Sequence, residues 1–388
     1  MRLRLRLPIL LLSALAWPAA GEAPDWWTID RAHAAPHAAL LTPGQQALLA
    51  TLPNTYALRV HPATETEVAP AGEPARLSDE GRPTGLGAGI PFPRIEPGDP
   101  DGGLKAIWNH RLRRRGSALE RSTVQAVVHA DRPLEAIAVR ERLASPSDPD
   151  RPLLQHLTAL AAPLRLAGSI KLLHEPLAGA TLGWQRSPGP ALPSLKPTTD
   201  AGGDTPVIGT DGLLAEDQLD GFRGDPARWR WRLVERGIRL VPWQADAFAA
   251  RDGVLAGLLG PRHPDPDRLR YERREVLQVD ARLQPGHASP WPQRRYYLDA
   301  ATWQVLLVEL HDAQGNLQRL QEVHVRRFGT QWLPAVTVVH DLPGRRYLVT
   351  GIDLGADATT LAELPDEAFV PASAPRWAKS VGAAPPRR

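Results

Sequence analysis

The chain has no cysteine, which excludes disulfides, thiolate chemistry, cysteine-ligated zinc and an acylated cysteine anchor. It also lacks an excess of one charge. The formal net charge of +3 comes from 46 basic and 43 acidic residues, and Arg2, Arg4 and Arg6 supply the surplus. A chain that is neutral beyond its first residues has no electrostatic hold on nucleic acid, so no such partner is expected. After the N-terminus there is no apolar run of the roughly 18 residues that a membrane-crossing helix requires. Aromatic residues make up only 6%, but unevenly, with 12 Trp against 5 Tyr and 5 Phe. Such a surplus of large flat side chains suits the core of a Gly- and Pro-rich protein, or a surface that holds apolar ligands.

Catalytic and metal-binding signatures are missing as well. There is no H-E-x-x-H helix, no G-x-S-x-G elbow and no Walker loop. The run Gly85-Leu-Gly-Ala-Gly89 has the glycines of a phosphate loop, but Ile90-Pro-Phe-Pro93 follows it where a helix is needed. The 12 histidines are scattered; His324 and His340 fall on neighbouring predicted strands without a third ligand. No catalytic residue, metal site or cofactor is expected.

What the sequence does contain begins with a leader. Arg2, Arg4 and Arg6 precede an apolar run over 7–17, and small residues follow. This predicts a cleaved signal peptide at 1–21 and export to the periplasm. Residues 22–88 read as an N-terminal segment and linker, 89–377 as one β domain with 187–212 as a flexible loop, and 378–388 as a disordered tail. Thr42-Pro43 starts a short helix over 41–52 as N-cap and first helical residue. Leu104, Ile107, Trp108 and Leu112 space a second helix over 103–115. Residues 152–162 open on a proline and place Leu153, Leu154, Leu157 and Leu160 at helical spacing, which predicts a third. Alternation predicts strands over 122–128, 136–143, 229–233 and 237–242. Further strands follow over 268–283, 294–298, 302–310, 317–328, 335–340 and 346–352. The breaks between the last of these are short, which favours an antiparallel meander.

Two clusters stand out. Trp108, Asn109 and His110 with Arg113 and Arg115 form a polar-aromatic group on the second helix. Arg228-Trp-Arg-Trp-Arg232 puts both tryptophans on one strand face and the arginines on the other. The first cluster sits in Ala106-Ile-Trp-Asn-His-Arg-Leu-Arg-Arg-Arg-Gly116, after Gly89-Ile-Pro-Phe-Pro93. Asp217-Gln-Leu-Asp-Gly-Phe222, Arg270-Tyr-Glu272, Tyr297-Leu-Asp299 with Trp303-Gln304, and Arg346-Tyr-Leu-Val349 follow in order. Together these resemble domain-of-unknown-function family 1329 over about residues 54–377. The resemblance implies a LolA/LolB-like fold: α+β but mainly β, a curved antiparallel sheet forming an incomplete barrel over one to three helices. It also implies partners, namely an inner-membrane transporter of the resistance–nodulation–division type and an outer-membrane protein. It establishes no catalytic residue.

The resulting expectation is a periplasmic binding or carrier protein for a lipid, acyl chain or other hydrophobic ligand, and not an enzyme. Trp108, Trp229, Trp231, Trp243, Tyr271, Tyr297 and Trp303 are the expected lining. Two alternatives remain open: a hydrolase on an envelope substrate, using His110 with Asn109 or the His324 region, and a structural adaptor in an envelope transporter complex.

Overall fold

The computed structural model describes residues 26–113, 118–145, 151–188, 194–248, 255, 257–353, 359–361 and 363–379. The expected leader at 1–21, Arg115 and all of the expected tail except Ala378 and Lys379 lie outside these residues. The first strands are β1 (Trp27–Ile29), β2 (Leu58–His61), β3 (Arg76–Leu77), β4 (Pro83–Thr84), β5 (Ala118–Val128) and β6 (Glu135–Ala144). Next come β7 (Leu154–Ala162), β8 (Ile170–Glu175), β9 (Leu182–Arg186), β10 (Lys196–Thr198), β11 (Trp229–Trp243) and β12 (Arg270–Leu283). The last are β13 (Gln293–Asp299), β14 (Val305–His311), β15 (Leu317–Phe328), β16 (Gln331–Asp341), β17 (Arg346–Asp353) and β18 (Thr359–Leu361). The α-helices are α1 (Pro43–Thr51), α2 (Gly102–Leu112) and α3 (Ala374–Lys379).

Sixteen of these strands make one unclosed 16-stranded sheet, in the order β1-β2-β12-β13-β14-β15-β16-β17-β5-β6-β7-β8-β9-β10. β11 lies along β12 and β18 along β5, while β3 and β4 pair separately. Every pairing in the large sheet is antiparallel except β2 with β12. The C-terminal meander thus joins the N-terminal strands through β17 and β5, where Tyr347 faces Val128. The fold class expected from the sequence is the one observed. No helix among the described residues is long and apolar enough to cross a membrane.

Both faces of this sheet are covered, and side-chain alternation sorts the core accordingly. On β13, Tyr296 and Leu298 join α2 residues Ala106 and Ile107, whereas Tyr297 joins Leu48 and Leu49 of α1 in the opposite core. α1 begins as expected: Thr42 and Gln45 form a reciprocal capping box. Its next free N–H, at Gly44, donates to Glu309 Oε1 of β14 (2.7 Å). α2 lies directly on the backbone of β11, because a Cβ at Gly103 would stand 2.7 Å from the main chain of Arg232.

Four expectations change. The helix expected over 152–162 is strand β7, paired with β6 on one side and β8 on the other. α3 and Phe369 cover one of its faces through Leu157 and Ala159, and Leu160 packs with Ile208 on the other. A strand buried on both faces carries apolar residues on each, so its leucines match helical spacing by accident. The two strands expected over 229–242 are one 15-residue strand, with a bulge between Leu233 and Glu235. The N-terminal segment over 22–88 supplies β1 and β2 to the main sheet. The loop expected over 187–212 contains β10, and its second half begins a strap, residues 203–223, that crosses one face of the sheet.

Candidate functional site

The polar cluster of α2 is where the chain's distant segments meet. Asn109 clamps Phe92 at two points: Oδ1 accepts from Phe92 N (2.9 Å) and Nδ2 donates to Phe92 O (2.7 Å). Trp108 Nε1 donates to Gly81 O (2.8 Å). His110 is buried; its Nε2 reaches Phe222 O (3.1 Å) and its Nδ1 accepts from Val305 N (3.2 Å). Arg113 Nη2 donates to Asp220 Oδ1 (2.6 Å) and to Gln304 Oε1 (2.6 Å). The motifs at 89–93, 217–222 and 297–304 are therefore fastened to one helix. With both ring nitrogens engaged by main chain, His110 works as a brace. Replacing Asn109 by Ala leaves a buried N–H and a buried C=O of Phe92 unpartnered. We expect a loss of about 2–4 kcal/mol, measurable as a lower midpoint of urea unfolding.

The seven aromatic residues expected to line a ligand site are all buried, none more than 7% exposed. Trp243, Tyr271 and Tyr297 belong to the α1-side core, and Trp229, Trp231 and Trp303 to the α2-side core. Alternation does bring Trp229 and Trp231 to one face, but Phe222 meets Trp231 edge-on at 5.1 Å and closes that face. None of the seven lines the cavities described next. Trp243 stands one layer behind them, against Trp332 (5.0 Å).

Two of those cavities lie under the strap and a third lies beside it. Six side chains of the sheet pin the strap from below. Gln125 Nε2 donates to Ile208 O (2.8 Å), Arg319 Nη1 to Gly212 O (2.7 Å) and Gln321 Nε2 to Gln218 O (2.8 Å). Lys171 pairs with Glu216 (2.8 Å), Arg294 with Asp217 (2.9 Å), and Glu175 accepts from Arg223 Nε (2.7 Å). Between pins the layers separate into two spaces, and a third adjoins them outside the strap. An outer cavity of about 210 Å³ lies among 67–70, Gly89, Ile90, Arg113, Thr302 and 330–332. A middle one of about 70 Å³ has Leu119, Leu143, Leu154, Leu219 and Leu333 in its walls. An inner one of about 40 Å³ shares Glu141, His156, Leu214, Leu219 and Thr350 with the middle one. The bonded pair Arg113–Asp220 stands between the outer and middle spaces, since each lines one of them.

The floor of the middle cavity is charged but internally matched. Arg121 Nε donates to Glu141 Oε2 (2.6 Å), His156 Nε2 meets Glu141 Oε1 (3.0 Å), and Arg223 Nη1 reaches His156 Nδ1 (3.1 Å). Burial alone raises the Glu141 carboxyl, yet Arg121 and His156 outweigh it and hold the group well below the usual carboxylate range. Burial, helped by Arg223 and Arg121 against Glu141, pushes His156 down and keeps its ring neutral. The sequence gives no hint of this group, because its members sit on β5, β6, β7 and the strap and touch only across the fold. His324 of the alternative catalytic reading is fully buried in the opposite core. Elsewhere an open groove of about 630 Å³ runs between 53–59 and 257–267, with polar walls already paired through Thr55–His263 and Arg59–Asp267.

An unclosed antiparallel sheet wrapped by short helices and straps, with small spaces between the layers, defines a fold of the lipoprotein-sorting type. It is shared with a putative outer membrane lipoprotein-sorting protein domain from Vibrio parahaemolyticus. That similarity has a TM-score of 0.51 at 14% identity and covers 71% of this chain and 99% of that one. The family model described as protein of unknown function, DUF1329, matches residues 28–373, and the chain belongs to that family. An uncharacterized protein of Pseudomonas aeruginosa, PA3922, is 28% identical over 361 residues, 87% of this chain and 78% of that protein. A DUF1329 family protein from Desulfovibrio piger is similar with a TM-score of 0.46 at 9% identity, over 66% of this chain and 90% of that one.

Proposed function

We propose that this protein is a periplasmic carrier for a lipid or other hydrophobic ligand, held between the sheet and the strap. The observation that carries the reading is the set of three neighbouring cavities, with leucines walling the middle one and a lining of mixed polarity in the outer one. The strap is held by side-chain pins and not by strand ladders, so it can lift without dismantling the sheet. Burial of a few hundred Å² of acyl chain at about 25 cal/mol per Å² supplies several kcal/mol, enough for useful binding without a charged contact. The ligand thus belongs among Trp332, Leu333, Leu119, Leu143 and Leu154, and the seven core aromatics form the rigid backing. The leader expected at 1–21 supports the periplasm as the site of this exchange. An inner-membrane transporter of the resistance–nodulation–division type and an outer-membrane protein are the proposed donor and acceptor.

The test titrates the purified protein with a brominated acyl lipid and follows tryptophan emission. Quenching that weakens in Trp332→Phe is expected, together with lipid recovered by solvent extraction of the folded protein. Absence of both lipid and quenching defeats the reading.

A further inference from the structure

One end of β11, β12 and β13 concentrates positive charge in a chain that is otherwise balanced. Register partners on neighbouring strands share a face, and Trp229, Trp231 and Ala281 turn the other way, into the α2-side core. On the face away from α2, Arg230 stands opposite Arg282. Two residues along, Arg232 stands opposite Asp280, which stands opposite Arg295. Strands lie about 5 Å apart and these rows about 7 Å apart, so four guanidinium groups share one small plane. Arg230, Arg232 and Arg282 are exposed. One carboxylate, Asp280, answers them, taking Arg295 (2.7 Å) and Arg232 (3.3 Å). Arg230 and Arg282 form no ion pair among the described residues, although like charges directly opposite weaken strand pairing. The neighbouring carboxylates are engaged elsewhere. Glu235 pairs with Arg239, Glu309 is buried under the first turn of α1, and Asp312 accepts from Gln314 N and Asn316 N in its own turn.

We propose that this arginine face is a docking surface for an anionic bilayer, which it meets through the phosphodiester head groups. A flat array of guanidinium groups matches phosphates spread over a plane, and each group can take two phosphate oxygens. Val234 and Ile238, exposed farther along β11, add the apolar contact that a bilayer interface accepts and a nucleic acid does not use. The assignment goes beyond the carrier reading and does not depend on it.

The test sediments the purified protein with phosphatidylcholine vesicles and with vesicles that also contain phosphatidylglycerol. At low salt the protein is expected to follow the anionic vesicles and not the neutral ones, and added salt should release it. Arg230→Gln combined with Arg282→Gln is expected to bind about thirtyfold more weakly. Arg132→Gln combined with Arg376→Gln removes the same charge from exposed positions on the β5–β6 turn and α3, and should bind like the parent. Arg282→Gln alone lies off the border strand and should bind about fivefold more weakly, which decides the matter if the double variant self-associates. Equal binding to both vesicles, binding to neither, or equal losses in the two double variants overturns the assignment. Release by inorganic phosphate, but not by sodium chloride of the same ionic strength, overturns the bilayer in favour of a single-phosphate site. None of these outcomes touches the carrier reading.

Discussion

Replacing Arg294 by Met is expected to cost about 3–5 kcal/mol of stability and to lower the urea midpoint more than any other single change at the strap. Arg294 and Asp217 are both fully buried, and Nη1 lies 2.9 Å from Asp217 Oδ2. The other guanidinium nitrogen reaches Asp204 Oδ1 (2.9 Å), and the planar group stacks on Trp229 at 4.3 Å. Burial is the largest influence on Asp217 and, against the pull of Arg294, pushes its carboxyl up to about 6. Without the guanidinium, burial and the Asp204 carboxylate act against only the weaker pull of Arg228, so the Asp217 carboxyl moves further up and the variant takes up a proton near neutral pH. Removing both ends of a buried pair costs less than removing one. Arg294→Met combined with Asp217→Leu should therefore recover much of the loss, and a double variant no better than the single one would contradict this account. The same pin holds the strap, so the single variant should also admit brominated lipid faster.

A second large effect is expected on acidification. Burial, outweighing the nearby Glu322 carboxylate, pushes His324 from 6.5 down to about 4. Its ring lies against Tyr271 at 5.7 Å, and Glu322 accepts from the Tyr271 hydroxyl (3.0 Å) beside His340. Between pH 6.5 and about 4 the unfolded chain binds a proton at this position that the folded chain refuses. Stability from this group is complete above 6.5 and is lost as the pH falls through the window, at about 1.4 kcal/mol per pH unit and roughly 3 kcal/mol overall. Asp217, raised by burial, acts in the opposite sense over part of the same range. The informative quantity is therefore the difference between the parent protein and His324→Phe. In urea unfolding at pH 7, 6, 5 and 4.5 that difference should shift steadily in favour of the variant; a constant difference would remove His324 as the acid-sensitive group. His156 and His263, both lowered by burial, add to the overall acid lability.

The strands of the C-terminal half are legible because short turns of recognisable chemistry separate them. β12 and β15 are buried on both faces through their middles, and α1 announces itself through Thr42, Pro43 and Gln45. β7, also covered on both faces, is not legible, because Pro152 and the leucines at 153, 154, 157 and 160 imitate a helix start and helical spacing. The aromatic residues were recognisable as inward-facing. What fills the space opposite them was not, because Phe222 and α2 arrive from far along the chain. The cavity walls are harder still. Gln125 meets Ile208 across 83 positions and Gln321 meets Gln218 across 103, and no local pattern encodes such pairs. Asn109 and Arg113 were singled out as a cluster; that they fasten Phe92 and Asp220 follows only from the fold.

β11 runs its full length beside β12 with no other strand on its far side among the described residues. A sheet that never closes offers such a border to any passing chain that can lay a strand against it, including another copy of itself. Here the border is interrupted by the extra residue near Leu233, occupied at Arg232 by the start of α2, and fringed by the exposed side chains of Arg230, Arg232 and Arg236. Val234 and Ile238, at 38% and 42% exposure, are the apolar side chains left on it. The molecule can thus keep its ribbon open without the ribbon growing into a fibre, and the arginine fringe is the part whose neutralisation would test that restraint.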